Sequence, residues 1–298
     1  MPFVSNSKIA SRILAFLVVV IWSLAYVLTK YATLAFTPSE LGAMRYLFGS
    51  MVLILVLLIK RVPLPHLKDI PWFILSGLSG FGLYAFATNH GISYVSAATA
   101  SVINATTPVI TAALASKILK EKLNRLSWLA LLIEFIGVVL ITVVDGVFTL
   151  NFNILWLILA AICTACYNLL QRPLRNSGYT SLSITAYSMF VGLIFLLPFL
   201  PKGLTEFVSA SLTQKVNLIF LGTFTSAGAY MIWSYAIAIS SKVTDVTNFM
   251  FLIPLFTSFL GILIISEYPT TVTIIGCVVI LIGIIIFNYS NSLSNKGK

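Results

Sequence analysis

The sequence Ile-Gly-Val-Val-Leu at residues 136–140 recurs as Ile-Gly-Ile-Ile-Ile at residues 282–286, which is 146 positions later. At the same shift several less common residues coincide, namely Gly82 with Gly228, Tyr84 with Tyr230, Pro108 with Pro254, and Glu121 with Glu267. Apolar composition explains Leu opposite Ile, but it does not explain paired prolines and paired glutamates. The pattern therefore predicts a duplicated chain, with one repeat in residues 1–146 and the second in residues 147–298.

The composition identifies the solvent of the protein. Hydrophobic residues make up 59% of the 298 residues, charged residues make up only 9%, and the mean hydropathy is +1.03. Soluble domains carry about 25% charged residues, so this chain has too few charges to cover a surface that faces water. Lipid is the expected solvent. The net charge of +10 does not indicate nucleic-acid binding, because the basic residues lie in short segments between apolar runs.

Apolar runs long enough to cross a bilayer, about 20 residues each, recur along the whole chain. We place the spans at residues 13–31, 39–59, 70–89, 94–116, 126–144, 152–171, 182–200, 215–238, 244–265 and 270–288. Five spans per repeat is an odd number, so the second repeat must lie upside down relative to the first, as in many secondary transporters. The expected fold is an all-α integral membrane protein of ten transmembrane helices, built as two inverted five-helix repeats.

The basic residues predict the orientation of the chain. With the N-terminus in the cytoplasm, 14 Lys and Arg residues fall in inner segments and 3 in outer segments. The remaining one, Arg45, lies within a span. Because cytoplasmic loops carry an excess of Lys and Arg, we expect a multi-pass protein of the cell membrane with both termini in the cytoplasm.

Several stretches resemble the motifs of one transporter family. The first span contains Trp-Ser-Leu-Ala-Tyr-Val-Leu-Thr-Lys at residues 22–30, and the second contains Pro-Ser-Glu-Leu-Gly-Ala-Met-Arg-Tyr at residues 38–46. Pro108 is followed by Lys-Glu-Lys-Leu at residues 120–123, and Ser-Glu-Tyr-Pro at residues 266–269 repeats that ending. On these motifs the chain resembles, over nearly its whole length, the EamA-type members of the drug/metabolite transporter superfamily.

The resemblance implies two EamA-like five-helix repeats, alternating access and, often in the family, coupling to protons. It also implies a small-molecule substrate, a lipid bilayer and a bacterial inner membrane. Ser23, Lys120 and Ser266 depart from the family motifs, which have glycine at these positions. The motifs identify the fold rather than the substrate, and they leave open whether the protein is a monomer or a homodimer.

Polar and aromatic side chains recur at helical spacing within several spans. Such side chains are stable in lipid only when they face the bundle or a wet cavity. We expect them to converge on a substrate-binding cavity formed by Trp22, Tyr26, Tyr84, Ser101, Asn104, Asn168, Tyr230, Trp233 and Asn248. Aromatic rings bury apolar groups or hold cations, and amides orient a ligand. The alternative for each polar residue is contact between helices, worth about 0.6 kcal/mol on average.

Two prolines and one glutamate within the spans are candidates for roles in gating and in proton coupling. Pro108 and Pro254 each lack a backbone N–H and clash with the preceding helical turn, so we expect kinks that gate or shape the cavity, unless they are prolines that a membrane helix merely tolerates. Glu134 lies mid-span, where burial favours a protonated carboxyl, which makes it the candidate for proton coupling. The alternative is a structural pair with Arg45. The counterpart of Glu134 is Ile280, so a coupling role would be asymmetric.

Arg45 has two interpretations of its own. A long basic side chain in a span either reaches the interface or locks helices together in an ion pair. The sharper hypothesis is that Arg45 binds a carboxylate of the substrate.

Metal, redox and catalytic chemistry are not indicated by the sequence. Cys163 and Cys166 have the spacing of redox and zinc sites, but they lie in an apolar run without a nearby histidine. Small packing residues are the better interpretation. There is no phosphate-binding loop, nucleophile elbow or metal cluster in the sequence, so we expect no catalytic residues, no cofactor, no metal site and no enzyme.

These observations favour a secondary active transporter. We expect it to move an amino-acid-like metabolite or a drug-like compound across the membrane by alternating access, in the direction of export, with protons as the candidate coupling ion. An uptake permease for a metabolite such as a nucleotide derivative is the main alternative. A membrane-embedded enzyme acting on lipid-linked substrates is more remote, because such an enzyme needs clustered acids or a metal near the interface.

Overall fold

Helices form every regular element of the residues that the structure describes. A computed structural model of the chain describes residues 2–95, 97–144, 153–265 and 271–296. The helices are α1 (Pro2–Ala32), α2 (Pro38–Lys60), α3 (Ile70–Gly77), α4 (Leu83–Tyr94), α5 (Ala97–Asn104), α6 (Thr107–Ile118), α7 (Arg125–Val144), α8 (Ile154–Asn176), α9 (Ser181–Leu196), α10 (Leu200–Ser209), α11 (Leu212–Phe220), α12 (Ala229–Ile239), α13 (Val243–Thr247), α14 (Ile253–Ile265) and α15 (Thr271–Lys296). Short 3₁₀ turns lie at Leu67–Asp69, Leu197–Phe199 and Asn248–Leu252, and π-helical segments lie at Leu78–Gly82 and Leu221–Gly228.

Seven helical segments of the described chain are long and apolar enough to cross a membrane. They cover Ser7–Ala32, Pro38–Lys60, Leu67–Tyr94, Ile154–Asn176, Ser181–Ser209, Leu212–Ile239 and Val243–Ile264, and Ile274–Phe287 is a shorter apolar helix. The predicted class of an all-α, multi-pass membrane protein is therefore confirmed. The number of ten spans stays a prediction, and the segment expected at residues 94–116 is divided between α5 and α6.

Both prolines singled out in the sequence lie where a helix restarts. Pro108 is the second residue of α6, after a turn at Ala105 and Thr106 that separates α6 from α5. Pro254 is the second residue of α14, which follows the 3₁₀ turn Asn248–Leu252. A proline fits the first turn of a helix because the N–H it lacks would have no partner there. The two prolines thus mark interruptions in their helices, and a role in gating stays a prediction.

The two π-helical segments occupy corresponding places in the chain. They end at Gly82 and Gly228, which are 146 positions apart. Each continues directly into an α-helix whose second residue is a tyrosine, Tyr84 in α4 and Tyr230 in α12. Single π turns inside helices are frequent at functional sites, and both tyrosines line the cavity described below.

Helices α7 and α15 approach to backbone contact along a line that we call the α7–α15 seam. A Cβ atom added to Gly137 would lie 2.7 Å from Ile280 Cγ1 and 2.8 Å from the Gly276 carbonyl oxygen, and one added to Gly283 would collide with the Glu134 side chain. Small residues let membrane helices pack this closely. Because Ile280 is the counterpart of Glu134, the two glycines face equivalent positions. A two-fold relation between the halves would produce this reciprocity, and the division into repeats at residue 146 stays a prediction.

The two ends of the bundle are named by the connections that they hold. The 33–37 end holds the turn between α1 and α2, and the 61–66 end holds the connection between α2 and the Leu67–Asp69 turn. Between these ends, large apolar side chains such as Leu55, Leu58 and Ile59 are exposed along α2. Exposed apolar side chains on a spanning helix form the surface that faces lipid.

Candidate substrate-binding cavity

A cavity lies in the interior of the helical bundle. Five of the predicted residues line it, namely Trp22, Tyr26, Tyr84, Asn104 and Tyr230. The other lining residues are Ala25, Thr29, Arg45, Thr88, Ile92, Thr164, Met250 and Ile253. With its open mouth included, the space between the lining side chains is about 510 Å³.

The cavity extends from the middle of the bundle towards the 33–37 end. Thr29 lies in the last turn of α1, and Ile92 lies in the last turn of α4. Arg45 lies two turns into α2 from the same end. Thr29 also shares a helical face with Trp22 and Tyr26, so the helical spacing of the sequence groups these three residues.

Three packed aromatic side chains form what we call the aromatic floor: Trp22 and Tyr230 line the cavity, and Trp233 lies behind them. Trp22 lies between Tyr230 and Trp233, with ring centroids 5.0 Å and 4.9 Å away. Trp22 Nε1 donates a hydrogen bond to the Thr225 carbonyl oxygen over 3.2 Å, and Trp233 Nε1 donates one to Asn168 Oδ1 over 2.9 Å. Because both indoles are hydrogen-bonded as well as packed, their orientation is fixed before any ligand arrives.

The remaining predicted residues lie on the expected helices but outside the cavity lining. Trp233 and Asn168 form the hydrogen-bonded layer behind Trp22. Ser101 is fully buried and donates to the Ala98 carbonyl oxygen over 2.6 Å, so its hydroxyl serves its own helix. Asn248 lies in the 3₁₀ turn and faces Glu134. None of the four is brought to the cavity surface, and their part in substrate binding stays a prediction.

Arg45 is held inside the bundle by hydroxyl groups. Its Nε donates to Ser226 Oγ over 2.6 Å, Nη2 donates to Thr225 Oγ1 over 3.0 Å, and Nη1 donates to Thr29 Oγ1 over 3.4 Å. The residue is only 8% exposed, so it does not reach the membrane interface. Among the described residues it forms no ion pair, and it is not bonded to Glu134. The sequence left two interpretations of Arg45 open, and the structure places its side chain in the cavity wall.

Asn104 contributes a second hydrogen-bond donor to the cavity. It is 3% exposed, and its Nδ2 has no acceptor within the described residues. The amide lies near the Tyr26 hydroxyl, although the geometry falls short of a hydrogen bond. A buried donor without an acceptor costs about 1–3 kcal/mol, so a ligand acceptor at this position would relieve a penalty.

Glu134 lies in the α7–α15 seam rather than in the cavity. It is fully buried, and neither carboxyl oxygen has a hydrogen-bond partner among the residues that the structure describes. The Asn248 amide is close enough to interact with the carboxyl, without reaching hydrogen-bond geometry. Gly283 leaves the space that the Glu134 side chain fills.

The 61–66 end of the bundle is closed by polar contacts between helices. The Glu121 carboxylate accepts hydrogen bonds from the Val243 N–H over 2.7 Å, the Thr244 N–H over 3.4 Å and the Thr244 hydroxyl over 2.9 Å. Lys242 Nζ donates to the Lys122 carbonyl oxygen over 2.8 Å. Charge-assisted bonds to backbone N–H groups at a helix start are stabilising. Glu121 therefore ties the end of α6 to the start of α13.

The 33–37 end is tied by more exposed groups. Lys202 Nζ lies 3.3 Å from the Glu40 carboxylate and 3.6 Å from that of Glu206, and the Lys202 side chain is 60% exposed. Glu206 also accepts a hydrogen bond from the Thr37 N–H over 3.0 Å. Exposed ion pairs contribute little to stability, so Lys202 adds little to the closure of this end.

The cysteines do not form a metal site in the described part of the chain. Cys163 and Cys166 are free thiols on α8, and they flank Thr164 of the cavity wall. Within the described residues, no group of three or more His, Cys, Asp or Glu residues is placed to hold a metal ion.

A model of the EamA-like transporter family matches residues 10–143 and, a second time, residues 151–289. The chain belongs to this family. The aromatic floor, Arg45 and the α7–α15 seam are therefore features of an EamA-like transporter, a class of multi-pass membrane proteins. The resemblance that the motifs at residues 22–30 and 38–46 indicated is confirmed.

Two relatives illustrate the range of the EamA-like transporters. The uncharacterized transporter YdfC of Bacillus subtilis (strain 168) is 30% identical over 275 residues, covering 92% of this chain and 89% of that protein. A "probable terminal-alkyne amino-acid exporter" of Streptantibioticus cattleyicolor is 26% identical over 272 residues, covering 91% of each chain. One solved crystal structure at 17% identity matches with a TM-score of 0.73 over 93% of this chain and 98% of the other. That likeness shows a shared fold.

Proposed function

We propose that this EamA-like transporter is a secondary active exporter of small amphipathic metabolites and is not an enzyme. The observation that carries the proposal is the cavity in the bundle interior, which combines an aromatic floor with the donors of Arg45 and Asn104. Such a lining fits a solute with one polar and one apolar part. The sequence contains no nucleotide-binding loop that would supply ATP energy.

The distribution of basic residues supports a cavity that faces the outside of the cell. With 14 Lys and Arg residues inside and 3 outside, both termini are cytoplasmic and the 33–37 end faces outwards. The cavity then leads to the outside, which corresponds to the stage of an export cycle at which a solute is released. The relative named as an amino-acid exporter supports the same direction and an amino-acid-like solute. A bacterial inner membrane is the proposed location.

Alternating access requires the 61–66 end to open. Opening there would break the hydrogen bonds from Val243 and Thr244 to Glu121 and separate Trp22 from Trp233. The helix interruptions at Pro108 and Pro254 are places where backbone direction can change at low cost. Inward opening would thus expose the aromatic floor to the cytoplasm, where the solute is collected.

Protons are the proposed coupling ion, and Glu134 is the proposed carrier. Neither oxygen of this buried carboxyl has a hydrogen-bond partner in the described structure, and such burial favours the neutral form. If movement along the α7–α15 seam admits water, the carboxyl can release its proton. One proton would then be carried per cycle from a site separate from the cavity.

The proposal is tested by metabolite profiling. The intact protein and Trp22→Ala are produced at equal levels in a bacterial host, and small metabolites are followed inside the cells and in the medium. We expect a class of solutes to accumulate outside only with the intact protein, because Trp22 forms the cavity floor. Membrane abundance and thermal unfolding of the variant serve as the folding control. Accumulation inside the cells would indicate an uptake permease, and equal export by Trp22→Ala would contradict the proposed cavity.

A further inference from the structure

Arg45 is the one formally charged side chain among the residues that line the described cavity. An arginine is permanently charged and offers five N–H donors. Three of these are directed at the hydroxyls of Ser226, Thr225 and Thr29, which leaves donors on both Nη atoms unused. Hydroxyl groups satisfy hydrogen bonds but do not balance a charge. A desolvated charge without a counter-ion is unfavourable, so the cavity favours an anionic group.

None of the described carboxylates forms an ion pair with Arg45. Glu40 pairs with Lys202, and Glu121 binds the start of α13. Asp69 accepts a hydrogen bond from the Tyr179 hydroxyl over 2.8 Å. Glu134 lies in the α7–α15 seam, outside the cavity lining. Within the described residues Arg45 thus lacks a counter-ion, and a bound anion from solution would supply one.

Asn104 adds a donor that belongs to the same site. Its Nδ2 has no acceptor in the described structure, and Asn104, Tyr26 and Arg45 line the same cavity. Both groups line the cavity beside apolar side chains such as Met250 and Ile253. A ligand with two acceptor oxygens and an apolar body matches this combination of donors and surface.

We infer that Arg45 and Asn104 bind a carboxylate, so that the cavity selects small organic acids and amino acids over neutral or purely cationic compounds of the same shape. The inference rests on the proposed transport function and names its substrate class. The planar fork of a guanidinium binds a carboxylate through two parallel hydrogen bonds. The apolar part of the ligand then lies against the aromatic floor.

The test compares ligands that differ only in the acid group. The full chain is embedded in nanodiscs, and its thermal unfolding is followed while L-phenylalanine, L-phenylalaninamide, 3-phenylpropionate or 3-phenylpropanamide is added. We expect each carboxylate to bind about 10- to 100-fold more tightly than its amide, because a hydrogen-bonded charge pair replaces a neutral contact. Equal stabilisation by acid and amide, or no stabilisation by either acid, overturns the inference.

Three variants separate recognition from folding. Arg45→Gln should lose the preference for the acid over the amide, and Arg45→Lys should keep part of it because the charge remains. Ser226→Ala removes one hydrogen bond that holds Arg45 but leaves its charge, so the preference should persist. A merely structural arginine would change unfolding in all three variants without changing this ratio. A full preference in folded Arg45→Gln contradicts the inference.

Profiling of exported solutes distinguishes failure of the inference from failure of the proposed function. If the intact protein exports solutes and most of them carry a carboxylate, with export reduced in Arg45→Gln, both stand. If the exported solutes lack an acid group and Arg45→Gln exports them equally, the transporter stands and the carboxylate site falls. If the intact protein exports nothing while the acids still bind, the proposed function falls alone.

Discussion

The cavity around Arg45 and the α7–α15 seam around Glu134 each bury an ionisable group in a membrane bundle, and they do so in opposite ways. Arg45 is surrounded by three hydroxyl acceptors and borders free space. Glu134 is packed against Gly283 and has no hydrogen-bond partner within the described residues. Arginine cannot lose its proton and must be solvated by the protein or by a ligand. A glutamate can take up a proton and become neutral instead.

This difference suggests a division of labour within one bundle. The group with a permanent charge is placed where a solute can reach it, and the group that can become neutral is placed where two helices pack closely. Binding and proton coupling would then be separable by mutation. The predictions below examine that separation, beginning with the change that disturbs the seam most.

Gly283→Ala should break the seam. The added Cβ would collide with the Glu134 side chain, and overpacking of this kind costs about 3 kcal/mol. The free energy of unfolding, measured by denaturant titration in detergent, should fall by this amount. Gly228→Ala is the matched control, because its Cβ would meet only the Thr223 carbonyl oxygen, at 3.5 Å. Equal losses in the two variants would argue against close packing at Gly283.

Glu134→Met should stabilise the protein and uncouple it. Methionine fills nearly the same volume, and removal of a buried polar group without a partner should raise the free energy of unfolding by about 2 kcal/mol. Export should continue down a solute gradient but should no longer respond to an imposed pH gradient in proteoliposomes. Ile280→Met, at the counterpart position, should keep the response. A variant that still follows the pH gradient would remove Glu134 from the coupling mechanism.

Glu121→Ala lies outside both regions and should affect neither recognition nor coupling. The loss of the hydrogen bonds to Val243 and Thr244 resembles the loss of a helix cap, which costs about 1 kcal/mol. In the Trp22→Cys background, Glu121→Ala should make the thiol at position 22 react faster with a reagent added on the side of the 61–66 end, because that end opens more often. The acid-over-amide preference should match that of the intact chain. Unchanged labelling would show that Glu121 does not hold this end closed.

The sequence predicted the class of the fold and the side chains that form the centre of the cavity. The class of the fold followed from the low charge, the long apolar runs and the family motifs. For the second, the aromatic residues Trp22 and Tyr26 lie within the long helix α1, where a helical face can be followed without interruption. At such positions the period of 3.6 residues per turn locates a side chain reliably.

Asn248 shows why the rest could not be predicted. It was assigned to the cavity by extending a regular helical face, but residues 248–252 form a 3₁₀ turn. That turn has about three residues per turn, so side chains are rotated away from the face that regular spacing predicts. Asn248 lies near the Glu134 carboxyl and outside the cavity lining. Arg45 shows a second reason. The orientation of its long side chain is set by hydrogen-bond partners such as Ser226, which is distant in sequence, so the local sequence does not predict it.

The reciprocal glycines Gly137 and Gly283 have a mechanical consequence. Helices that touch backbone to backbone have little room to slide. If the two halves of the transporter rotate against each other, the rotation axis would therefore lie along the α7–α15 seam, and residues would move further the more distant they are from it. Probe pairs across the 33–37 end and across the 61–66 end would then change separation in opposite senses. The separation of a probe pair placed across Gly137 and Gly283 would stay constant.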